Sequence, residues 1–165
     1  MQALLSLEKS RVKAQTKNVL PWKVVKTYHD EDIVQKLMQE YSLDRPQALV
    51  LFDDTKKFLF LCNKYFDLSP TKALDDGWHT FILFTREYAD FCQRYFGKFI
   101  HHVPTVRYEG SKAPKPTVSN AALIEFAKLE FGDDLSPNWH SKSNDPCCTG
   151  GNCSNSGNCS HCTSE

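Results

Sequence analysis

Within 28 residues, from Asp75 to His102, the chain gathers an acid, a thiol, a phenol and three imidazoles: Asp75, His79, Tyr88, Cys92, His101 and His102. Asp75 and His79 stand four residues apart, so on a helix they share a face. That spacing lets a carboxylate hold an imidazole, or lets both reach one ion. Tyr88 and Cys92 repeat the spacing, and two helices joined as a hairpin would let the faces meet. His101 and His102 follow five residues after the expected helix end at Phe96. Side chains of neighbours in an extended segment point to opposite sides, so one of the two imidazoles would enter the cleft. Histidine, cysteine and aspartate all ligate zinc, and three protein ligands with a water in the fourth place is the pattern of a catalytic site. Such an ion would acidify its water for hydrolysis. A nucleophilic Cys92 beside an imidazole is a further option, and it requires a stabilised thiolate. The spacing matches no compact zinc signature. The competing reading is architectural, with Trp78 in the core, Asp75 and His79 as a hydrogen-bonded pair and Cys92 as a small apolar filler.

A second concentration of ligands closes the chain. The last 19 residues hold five of the seven cysteines, Cys147, Cys148, Cys153, Cys159 and Cys162, with His161 inside the Cys159-x-x-Cys162 pair and His140 ahead of the group. Thiolates and imidazoles on a flexible segment would wrap a soft ion, Zn(II) or Cu(I). The short spacing between the halves favours a loose wrap over a rigid knuckle. Alternatives are a tail of free thiols, redox exchange, or a segment that binds or is modified by a protein partner. From Cys147 onward there is no Phe, Tyr, Trp, Lys or Arg, which argues against single-strand nucleic-acid binding.

The elements that must position these residues read as helices. Residues 1–18 form an amphipathic pattern around Leu4, Leu5, Leu7 and Val12. Pro21 interrupts it, and Trp22 to Lys26 reads as extended or linking. The spacing of Ile33, Leu37, Met38 and Tyr41 predicts a helix over 30–41, with acids in its first turn. A long helix is expected from Pro46 to about Phe66. Ser69-Pro70 reads as the start of the next helix, which carries Asp75, Trp78 and His79. Another follows over 86–96 and stops at Gly97. An extended stretch to Val103, a loop over 105–117 and a last helix ending at Phe131 with Gly132 complete the series. The expected fold is all-α: a compact bundle of about five helices over residues 1–137. Residues 138–165 form a flexible Cys-rich tail too poor in apolar residues to build a core.

Composition narrows the function classes. Twenty acidic residues balance 20 Lys and Arg, which gives no basic surplus for nucleic acid. Apolar runs such as Ala48 to Phe52 fall far short of the roughly 18–20 residues of a membrane span. Met1 to Leu7 lacks the features of a signal peptide, so the expected location is the cytoplasm. In a reducing compartment clustered cysteines point to metal or redox work before disulfides.

Several linked motifs carry a resemblance. Phe58-Leu59-Phe60-Leu61, Leu68-Ser69-Pro70, Asp75-x-x-Trp78-His79-Thr80-Phe81-Ile82-Leu83, Thr85-x-x-Tyr88-x-x-Phe91-Cys92 and Phe96-Gly97-Lys98-Phe99-Ile100-His101-His102-x-Pro104 resemble the glycine-rich domain-containing-protein-like family, nearest its short bacterial members. The likeness covers residues 45–135. It implies motif positions at Asp75, His79, Cys92 and His101, and no defined reaction. With only seven glycines the chain lacks the glycine-rich region of the plant members. The leading expectation is a small metal-binding protein for zinc or copper. Its domain site would use Asp75, His79, Cys92 and His101 or His102, and its tail would supply a softer second site. A non-enzymatic interaction module and a metal-dependent hydrolase are the alternatives.

Overall fold

The computed structural model describes residues 20–65, 68–102 and 120–140. Among them the fold is all-α: α1 (Trp22–Val25), α2 (Glu31–Tyr41), α3 (Arg45–Lys64), α4 (Lys72–Leu83), α5 (Thr85–Phe96) and α6 (Asn120–Phe131), followed by a 3-10 turn over Pro137–His140. The N-terminal helix expected over residues 1–18 lies outside the described residues. No helix among those described is long and apolar enough to cross a membrane.

The 20-residue α3 is the axis of the fold, about 30 Å long at 1.5 Å per residue. It packs against α1, α2, α4, α6 and the 3-10 turn. Leu51, Phe52, Phe58, Leu59, Phe60 and Leu61 are all buried, so its apolar surface runs around the helix, as a central helix requires. Its start is set locally. Asp44 accepts from the Gln47 backbone N–H at 2.8 Å, the Gln47 side chain accepts from the Asp44 N–H at 2.9 Å, and Pro46 sits in the first turn. Asp30 caps α2 in the same way, accepting from the N–H groups of Asp32 and Ile33. Gly97 at φ 67° ends α5, and Gly132 at φ 91° follows α6.

Three expectations need correction. Trp22 to Val25 is a helical turn, not an extended link. Buried Lys56 donates to the carbonyls of Lys26 at 3.2 Å and Tyr28 at 2.9 Å and so closes the loop behind it. Burial lowers the pKa of that ammonium, with Asp53 opposing. The N-cap of α4 is Thr71, not Ser69. The Thr71 hydroxyl accepts from the Leu74 N–H and donates to the Asn138 carbonyl at 2.6 Å. The packed region also reaches past residue 137. Trp139 is buried, and its indole N–H donates to the Asp54 carboxylate at 2.9 Å. Asp54, itself buried within α3, also accepts from Asn138 Nδ2 at 3.0 Å, from Ser136 Oγ and from Lys57 Nζ at 3.2 Å. One carboxylate thus ties the C-terminal end of the domain to its central helix.

The placement of α4 depends on a close approach. A Cβ at Gly77 would overlap Thr55 Oγ1, whose hydroxyl donates to the Leu51 carbonyl at 2.8 Å within α3. Only a residue without a side chain lets α4 lie this near, and Gly77 stands midway between Asp75 and His79. Gly77→Ala is therefore expected to cost about 1–3 kcal/mol through overpacking, read as a lower urea midpoint; an unchanged midpoint contradicts the close approach. Asp54→Ala leaves several buried donors without an acceptor. It is expected to cost about 3–5 kcal/mol and to move the Trp139 emission to longer wavelength as the indole meets water.

Candidate metal centre

Asp75 lies in the first turn of α4 and His79 one turn later, so their side chains leave the helix on one face. The third group arrives from the other end of the α4–α5 hairpin. After Gly97 the chain turns back, and a buried relay fixes its path. The Trp78 indole N–H donates to the Tyr88 hydroxyl at 2.9 Å, and that hydroxyl donates to the Ile100 carbonyl at 2.6 Å. With Ile100 held inward, the residues alternate. Phe99 and His101 face outward, their rings 4.8 Å apart, while His102 turns in beneath α4.

His102 Nε2 lies 2.9 Å from Asp75 Oδ1, and His79 Nδ1 lies 3.5 Å from Asp75 Oδ2. The two imidazole rings are 4.4 Å apart, and one ligating atom from each of the three residues falls within 4.8 Å of the others. Zinc bonds of about 2.0–2.2 Å in a tetrahedral site separate donor atoms by about 3.3–3.6 Å. The spacing is therefore near that needed, and the exposed His79 is the ring with room to turn. The Trp78 and His102 rings meet in a T-shaped contact with centroids 4.5 Å apart, and Trp78 forms the inner wall. Side-chain exposure falls from 52% at His79 to 21% at Asp75 and 13% at His102, so the cluster opens on the His79 side. Asp76 does not join it. Lys72 Nζ grips both Asp76 carboxylate oxygens at 2.6 and 2.7 Å.

The other candidates fall elsewhere. Cys92 is fully buried one turn beyond Tyr88, and burial pushes its thiol pKa up, with the Ile100 backbone and the Tyr88 hydroxyl opposing. A raised thiol pKa is the reverse of what a nucleophilic thiolate needs. His101 is exposed on the opposite side of its segment from His102. Cys147, Cys148, Cys153, Cys159, His161 and Cys162 lie outside the described residues. Spacing alone paired Asp75 with His79 but left the choice between His101 and His102 open. The signal that resolves it is the alternation starting from buried Ile100, which the Tyr88 hydroxyl anchors. Trp78, read from sequence as a core residue, and Tyr88, read as a neighbour of Cys92, are the residues whose hydrogen bonds position the segment that carries His102.

A family model, described as UCP032817-like, matches residues 22–122, a span that holds all three clustered residues. No curated protein and no solved structure matches the chain. The resemblance to the glycine-rich domain-containing-protein-like family is thereby corrected, because the matching model is of a different family and its description names no activity. With well over half its length matched, the chain belongs to the UCP032817-like family.

Proposed function

We propose that this protein binds a divalent metal ion through Asp75, His79 and His102. The observation that carries the reading is convergence. A carboxylate and an imidazole of α4 meet a second imidazole from the returning segment at ligand spacing, and the Trp78–Tyr88–Ile100 hydrogen bonds hold the late-arriving histidine in place. An N,N,O donor set suits zinc and its borderline neighbours, whereas Cu(I) prefers thiolate and thioether donors. With Cys92 buried apart, the domain cluster favours zinc over Cu(I). Copper and soft-ion capture belong to the second proposed site, the tail ligands Cys147, Cys148, Cys153, Cys159, His161 and Cys162, which would buffer or deliver an ion or engage a protein partner. A cytoplasmic setting fits this reading, since Cys62 and Cys92 are both free thiols.

One distance supports the architectural alternative. At 2.9 Å, His102 and Asp75 already satisfy each other as a hydrogen-bonded pair, without an ion. Metal binding would displace the proton shared there. His79→Ala separates the two readings because His79 is exposed and its loss leaves the packing intact. On anaerobically purified full-length protein, elemental analysis and zinc titration should give one equivalent fewer for His79→Ala than for the parent chain. Zinc at 100 times its Kd should stabilise the parent over the variant by about 2.7 kcal/mol. Equal zinc content in the two proteins, with equal stability in the presence of zinc, would leave the His102–Asp75 pair as an architectural hydrogen bond.

A further inference from the structure

We infer that an ion held by Asp75, His79 and His102 keeps a coordination place open to solvent, where it takes a small anionic oxygen donor of the carboxylate, phosphate or hydroxamate type. This rests on the metal reading above. Zinc and its neighbours take at least four ligands, and the cluster supplies three. Asp76, the acid next to Asp75 in sequence, is engaged by Lys72 through both oxygens. Cys92 is buried on α5 beyond Tyr88, and His101 faces away beside Phe99. Among the described residues no fourth histidine, cysteine or acid joins the group.

Direction follows from burial. Trp78, 5% exposed, closes the inner side, and His102 is nearly covered, while half of the His79 side chain meets solvent. The vacant place therefore points outward past His79, where a small molecule can reach it. Charge selects the class of ligand. A divalent ion with one carboxylate and two neutral imidazoles keeps a net charge of +1, and the Asp76 charge beside it is balanced by Lys72. An anion is attracted and a cation is not. Binding is a ligand substitution. The bond from metal to water breaks, a bond from metal to the anion's oxygen forms and the water leaves; a hydroxamic acid passes its N–OH proton to buffer and adds its carbonyl oxygen as a second donor, which raises the coordination number from four to five and so weakens the cobalt band.

The test uses Co(II), whose visible d–d absorption reports coordination number, and acetohydroxamate as the probe. Two full-length proteins are loaded with one equivalent: the parent chain and a chain with all five tail cysteines changed to serine. The expected result is a saturable shift and weakening of the visible band on adding acetohydroxamate in both proteins, lost when His79→Ala is added. Cobalt uptake with no spectral response overturns the open place while leaving the metal site intact. A thiolate-to-cobalt band in the near ultraviolet of the parent chain that His79→Ala abolishes, with a hydroxamate response only in the serine chain, also overturns it by showing that the tail fills the place. Failure of the serine chain to take up cobalt removes the domain site itself, and the inference falls with it.

Discussion

The Tyr88 hydroxyl is the group on which the site depends. It accepts from the Trp78 indole and donates to the Ile100 carbonyl, so it joins α4, α5 and the returning segment in one buried relay. Buried polar groups without partners are costly, and here all three are satisfied by one another. The relay therefore sets a register as well as stabilising the fold. A shift of one residue in the segment would exchange His102 for His101 and carry the third ligand to solvent. The aromatic packing around it reinforces the constraint, because Phe81 meets Tyr88 edge-on and Trp78 abuts both Phe58 and His102.

A second constraint lies in the polar stretch at the middle of α3. Asp53-Asp54-Thr55-Lys56-Lys57 has the composition of a solvated surface, yet Asp54, Thr55 and Lys56 are all buried. Each serves a different neighbour. Asp54 receives the C-terminal turn, Thr55 faces Gly77 of α4, and Lys56 closes the loop after α1. Three elements are thus oriented from one helical turn, and α4 is held at the depth where Asp75 and His79 can meet His102. Among the described residues the free thiols are half-buried Cys62 and buried Cys92, and neither joins the site.

Much of this was legible in the chain, and the dividing line is physical. Helix boundaries set by neighbours within four residues, such as the Gly97 stop, follow from local hydrogen bonding; Asp30, read as a first-turn acid, proves to be the cap one residue ahead of the helix. The pairing of Asp75 with His79 is local too. The other misread features depend on distant partners. The α1 turn is backed by Lys56, the α4 cap is drawn to Thr71 by Asn138, and Trp139 is held by Asp54 across 85 residues of sequence. The choice of His102 over His101 belongs to the same class, since parity along an extended segment is fixed only once Ile100 has found Tyr88.

The proposed ligand set of Asp75, His79 and His102 differs in chemistry from the cysteine tail, and this difference offers a direct readout. X-ray absorption at the zinc edge, on full-length protein with the five tail cysteines replaced by serine and loaded with one equivalent, reports the donor atoms themselves. The account predicts a shell of nitrogen and oxygen at about 2.0–2.2 Å with imidazole outer-shell scattering and no sulfur. A sulfur shell at about 2.3 Å, which would draw Cys62 or Cys92 to the ion, or a protein that retains no zinc, would contradict it.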